Sequence, residues 1–181
     1  TYKAILNKDA IVGFNPNTNK ATVEYSNKPG TENKGESKPS IVDVHTFDFK
    51  IFKHYLVGET KNPLAGAKFE LYKANTEGTA ADEDNKVNIV KVAEGVYRQA
   101  TSEEVNAEGG FTSAVITSGT DGYAHVKGLK EGIYYLRETE APEGYNKLTR
   151  DIKITITAVY DETSGKLKSY SITYKYGDEK E

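Results

Sequence analysis

Apolar side chains in this chain recur mostly at every second position, in runs too short and too often interrupted to make helices. Phe47, Phe49 and Ile51 alternate with Asp48 and Lys50, and Tyr134 and Leu136 flank Tyr135 in the same rhythm. Period two sends alternate side chains to opposite faces of a pleated strand, so each run offers one face to a core. Turn residues punctuate the runs at Gly66, at Asp121-Gly122 and across Asp161–Lys166. Many short strands separated by turns fold as a β-sandwich, and all-β is the expected class. Thirteen Tyr and six Phe, with abundant Val and Thr, suit such half-buried pleated surfaces.

Residues 21–26 read as a strand with Ala21, Val23 and Tyr25 on one face. The polar stretch after it, with Pro29, Gly30, Gly35 and Pro39, offers too little apolar surface to order itself and marks a boundary. The expected organisation is residues 1–29 as the C-terminal part of a preceding β-domain, 30–44 as a linker and 45–181 as a second β-domain. Within the second unit, residues 75–105 read as a long loop-like insertion that holds the acidic run Asp82-Glu83-Asp84. Residues 110–127 suggest a hairpin turning at Asp121-Gly122, and residues 133–138 a strand. Residues 151–158 and 167–176 pair naturally as a further hairpin.

Several functions are excluded. The formal net charge of −3 comes without a basic cluster, which argues against nucleic-acid binding. No apolar run approaches the length of a membrane span, and the first residues carry no signal-peptide pattern. The absence of Cys rules out disulfides, thiolate metal sites and cysteine nucleophiles. His45, His54 and His125 lack ligand spacing, and the acidic run lacks the alternating ligands and glycine of a calcium loop. With no phosphate loop, nucleophile elbow or zinc-helix motif either, no cofactor or metal is expected.

The inward row Phe47-Phe49-Ile51 continues in phase to Lys53, and the row Tyr134-Leu136 continues to Glu138. Lys and Glu are almost never buried without a partner, so two such residues entering a core on separate strands suggest a pair. Burial penalises charge and drives an amine and a carboxyl toward their neutral forms. A neutral amine is a nucleophile, and a protonated acid polarises a carbonyl and shuttles protons. The same pattern also suits a buried salt bridge, or a strand phase that leaves both at the surface. Periodicity does not choose among these readings.

The segment Tyr134 to Tyr145, YYLRETEAPEGY, resembles the E-box of Gram-positive pilin and adhesin domains, matching at Tyr134, Leu136, Glu138, Thr139, Ala141, Pro142, Gly144 and Tyr145. The stretches FDFKIFK…PLAGAKFELY and TDGYAHVKGLKEGIYYLRET resemble the first strands and the central run of the Cna B-type domain. The resemblance spans residues 45–158 and implies a reversed-immunoglobulin β-sandwich. It also implies an autocatalytic isopeptide bond, with Lys53 as amine donor, Glu138 as acid/base and an Asn or Asp of the last strand as acceptor. Lys50, the nearest rival donor, is out of phase with the inward row. The only Asn after the E-box is Asn146, too early for a last strand, so the acceptor is expected beyond Glu181.

The N-terminal stretch YKAILNKDAIVGFNPNTNKATVEYSNKP resembles the end of the domain that precedes this one in backbone pilins. There Asn27 is a candidate acceptor for the preceding domain's own cross-link, and it equally suits a simple turn before Pro29. The polar linker argues against Asn27 as acceptor for Lys53. What the resemblance implies is a structural shaft subunit of a surface pilus, assembled by a sortase onto neighbouring pilin subunits outside the cell, with no turnover of an external substrate. A stalk or tip module of a cell-wall adhesin is the alternative, residues 75–105 being its candidate surface for a host extracellular protein.

Overall fold

The computed structural model describes residues 6–26 and 34–177, together with the backbone of 179–180. Among the described residues, seventeen strands and one short helix follow in chain order. The first four are β1 (Asn17–Ala21), β2 (Glu24–Ser26), β3 (Lys34–Glu36) and β4 (Ser40–Val44). Next come β5 (Phe47–Phe52), β6 (His54–Val57), β7 (Thr60–Pro63), β8 (Lys68–Ala74) and β9 (Ala81–Lys86). After β10 (Ile89–Ala93) and β11 (Val96–Gln99) the helix α1 covers Ser102–Val105. The chain closes with β12 (Ile116–Thr117), β13 (Tyr123–Leu129), β14 (Gly132–Glu140), β15 (Ile152–Tyr160), β16 (Leu167–Tyr176) and β17 (Glu179–Lys180).

Two sheets make the sandwich. One has the order β10-β11-β13-β5; the other runs β12-β8-β14-β15-β16-β17, with β9 paired to β8. Their inner faces meet in one core: Phe47 and Phe49 from β5, Phe69 and Leu71 from β8, Val126 and Leu129 from β13, Leu136 from β14, and Ile154 and Ile156 from β15. Alternation accounts for this directly, since every one of these pairs is spaced by two or, at the bulge between Val126 and Leu129, by three. The all-β class is as expected, and β15 and β16 form the hairpin the sequence suggested, paired from Ile152↔Tyr176 to Tyr160↔Leu167, with β14 beside β15.

Three local expectations differ. First, much of the stretch expected as a linker is strand: β4 pairs with β1 from Asn17↔Val44 to Ala21↔Ser40, and β3 pairs with β2. The β-branched run Ile41-Val42-Asp43-Val44 has strand propensity that its Pro- and Gly-rich neighbours concealed, and a two-stranded ribbon needs no apolar face to read. The strand expected at 21–26 is split accordingly, with Val23 between β1 and β2 and exposed.

Second, the insertion is not a free loop. β9 joins one sheet and the β10–β11 pair extends the other, sending Val87, Ile89 and Tyr97 into the core. β11 runs parallel to β13, a pairing between distant segments that no local pattern announces. Third, Asp121-Gly122 does make a tight turn, but its arms part: β12 pairs with β8 and β13 with β5, so the turn crosses between sheets.

The N-terminal residues dock onto the sandwich. Gly13 N–H donates to the Thr46 carbonyl at 2.7 Å, and Thr46 Oγ1 donates to the Ile11 carbonyl at 2.9 Å. Phe14 packs on Tyr170, which packs in turn on Phe47, with ring centroids 5.7 and 5.0 Å apart. Buried His45 lies between, its Nδ1 3.2 Å from the Gly13 carbonyl.

Candidate functional site

Lys53 follows the last residue of β5, held by its backbone on both sides. Its N–H donates to the Gly122 carbonyl at 2.8 Å, and its carbonyl accepts from Leu64 N–H at 2.9 Å. Gly122 is obligatory: φ is +76°, and a Cβ there would stand 2.5 Å from the Lys53 carbonyl oxygen and 3.0 Å from Pro63 Cα. The Asp-Gly turn thus places the chain end that carries the amine.

Glu138 arrives from the facing sheet. β14 pairs with β8 through Glu138↔Phe69 and then bulges, while its pairing with β15 ends two residues earlier at Leu136↔Ile152. Beyond that point the chain of residues 141–151 peels away and returns over the carboxyl. Glu138 is 2% exposed in the protein interior. Its Oε2 accepts from Lys53 Nζ at 2.9 Å and from the Leu148 N–H at 2.8 Å. Oε1 is also 2.8 Å from Nζ, yet it has no aligned donor among the described residues.

The structure therefore brings Lys53 and Glu138 together, the amine retaining 14% side-chain exposure and the carboxyl none. Lys50 is turned away, its ammonium 3.7 Å from the centroid of the Tyr123 ring. Asn27 lies outside the described residues, and Asn146 is exposed on the returning loop. β5 ends its sheet, and no strand pairs with its outer edge among the described residues. There the Tyr174 hydroxyl contacts both the N–H and the carbonyl of Lys50, each at 3.3 Å.

Around the pair the ionisable groups are well partnered. On the outer face of β14, Arg137 bridges Asp151 and Glu83, and these carboxylates push its pKa further up. Burial pushes Tyr134 up to about 12, while its hydroxyl donates to the Lys130 carbonyl at 3.0 Å. His54 stacks on Phe52, and His125 meets Asp48 across β13 and β5. Among the described residues no three His, Asp or Glu side chains converge as a metal ion would require. Sequence reasoning missed Leu148 and the Tyr55–Tyr145 contact, whose ring centroids are 5.5 Å apart. A side-chain pattern carries no signal for a backbone donor.

A two-sheet sandwich with a buried amine–carboxyl pair defines a class, and the sequence supplies its family. Residues 52–170 match the SpaA prealbumin-like fold domain, and the chain belongs to that family. It is 29% identical over 187 residues to the trypsin-resistant surface T6 protein of Streptococcus pyogenes serotype M6; the alignment takes in 96% of this chain and 28% of that protein. Among solved structures it resembles the 35 kDa C-terminal fragment of the major pilin GBS80 of Streptococcus agalactiae, with a TM-score of 0.52, 25% identity, and coverage of 80% of this chain and 47% of that one. It also shares its fold with the T6 backbone pilin of serotype M6 Streptococcus pyogenes, with a TM-score of 0.51, 22% identity, and coverage of 85% and 29%. By name, the first is a surface protein and the two solved structures are a major pilin and a backbone pilin. The chain spans less than half the length of each.

Proposed function

We propose that this chain is part of the shaft of a covalently assembled surface pilus, and that Lys53 staples its sandwich through an isopeptide bond to an Asn side chain, with Glu138 as the acid/base. The observation that carries the reading is the buried contact of Lys53 with Glu138, whose Oε1 and Oε2 lie 2.8 and 2.9 Å from Nζ, with the Leu148 N–H bound to Oε2 alone. Oε1 has no backbone donor among the described residues, and no strand pairs with the outer edge of β5 among them, so a strand bearing an acceptor would lie along that edge.

In the reaction, an acid proton on Oε1 hydrogen-bonds the side-chain carbonyl of an Asn on that strand and polarises its carbon. Neutral Lys53 Nζ attacks, forming the N–C bond of the new amide. Glu138 takes a proton from Nζ and delivers one to the departing nitrogen, the old C–N bond breaks and ammonia leaves. Nothing is oxidised or reduced, and Glu138 ends as it began. Holding the reactants on rigid strands makes a slow bimolecular reaction effectively intramolecular. The bond would constrain the unfolded chain as a disulfide does, in a protein with no Cys.

The first 29 residues would then close a preceding pilin unit, with Asn27 the acceptor of its own cross-link, and neighbouring subunits and a sortase would be the partners during assembly. The adhesin alternative loses its main support, because residues 75–105 are built into both sheets. Intact mass tests the proposal on a longer version of this protein, extended to include the proposed Asn-bearing strand. Wild type should be one ammonia lighter than its sequence mass for this domain's bond, and Lys53→Ala or Glu138→Ala should restore that ammonia. Full mass in the folded wild type sinks the reading.

A further inference from the structure

We infer that the backbone N–H of Leu148 is the positioning group of this site: it selects which oxygen of Glu138 faces the acceptor. The inference rests on the cross-linking reading above. A carboxyl group has two equivalent oxygens, and rotation about its terminal bond exchanges them or turns both out of line. Only one orientation puts an acid proton where the acceptor carbonyl must come. Oε2 already accepts two hydrogen bonds, from Leu148 N–H at 2.8 Å and from Lys53 Nζ at 2.9 Å. Both oxygens lie near Nζ, and only Oε2 also holds a backbone donor, so Oε2 is the poorer place for a proton and the proton goes to Oε1. Lys53 cannot hold the carboxyl alone, because its nitrogen is the reacting atom and must leave that contact as it attacks. Leu148 N–H stays.

The fold fixes this donor from both sides. Thr149 N–H and Oγ1 each lie 3.3 Å from the Tyr176 hydroxyl on β16. Asp151 is gripped by Arg137 through contacts of 3.0 and 2.9 Å. Upstream, Tyr145 leans on Tyr55 of β6. Arg137 and Glu138 are neighbours on β14 that face opposite ways. One strand thus carries both the carboxyl on its inner face and the clamp that anchors the donor's loop on its outer face.

Two measurements test this. In the longer protein, Leu148→Pro, which removes the N–H, should slow bond formation about tenfold to a hundredfold relative to Leu148→Ala, which shortens the side chain but keeps the N–H. The unlinked forms, compared in a Lys53→Ala background, should both stay folded at the assay temperature, so that the loss is one of rate and not of fold. Equal rates for the Pro and Ala variants overturn the inference. The second measurement uses this chain as it stands and needs no bond formation: amide hydrogen exchange at Leu148 should be strongly protected, and about tenfold or more faster in Glu138→Ala while Leu136 is unchanged. An unprotected Leu148 amide in the folded wild type overturns the inference even if the bond forms. A protected one in a protein that never loses ammonia upholds the contact and refutes the cross-linking reading instead. Should Leu148→Pro not fold, the exchange result decides.

Discussion

Lys53 and Glu138 stabilise each other only as a pair. Removing one partner of a buried ion pair leaves an uncompensated charge and costs about 3–5 kcal/mol, whereas replacing both by apolar groups is often neutral or better. In the chain without a cross-link, Lys53→Met should therefore be destabilising, near the lower end of that range because the Lys53 side chain keeps 14% of its exposure. Lys53→Met with Glu138→Leu should recover most of the loss, as read by urea denaturation. If the double variant is as unstable as the single one, the pair is not the coupled unit described. Both residues were legible in the sequence because each continues an inward row by two. Whether they sit at the surface or buried was not, because it turns on the loop that returns over the carboxyl with the Leu148 N–H, ten residues along the chain.

The single helical turn shows how elements here are held by polar contacts as well as by the core. Thr101 caps α1, accepting the Glu104 N–H at 3.2 Å, while the Glu104 carboxylate accepts the Thr101 N–H at 2.9 Å. Arg98 of β11 grips the same carboxylate at 2.7 and 2.5 Å, and this guanidinium holds the Glu104 pKa down from the usual 4.5 to about 2. A depressed carboxylate contributes stability that is full above its unfolded value and lost as pH falls through its folded one. Arg98→Gln should therefore be less stable than wild type at neutral pH, the difference shrinking between about pH 4.5 and 2. Thermal melts across that range check it; a gap independent of pH would mean that the pair contributes nothing. At this scale the strands with strict alternation were readable, β5, β14, β15 and β16 among them. Those of the insertion were not, because Val87, Ile89 and Tyr97 become inward-facing only once β11 lies beside β13.

At the scale of the molecule, the N-terminal residues and the sandwich meet through Gly13, Phe14, His45, Thr46 and Tyr170. Phe14→Ala should loosen this junction, with faster exchange of the Gly13 amide and little change in the melting of the sandwich, as the 56% exposed Phe14 contributes little to the core. Unchanged exchange would show that the hydrogen bonds alone hold the junction. The strands within residues 34–44 were not legible in the sequence because composition reports on burial, and a ribbon such as β1–β4 is held by backbone pairing instead. The position of Lys53 in the topology has a mechanical consequence. Tension arriving from the N-terminal side travels along β5, only six residues, before it meets the amine. With the proposed amide in place the load would leave there, side chain to side chain, into the last strand. Everything from β6 to β16 would hang beside the load line, slack while the fibre is stretched.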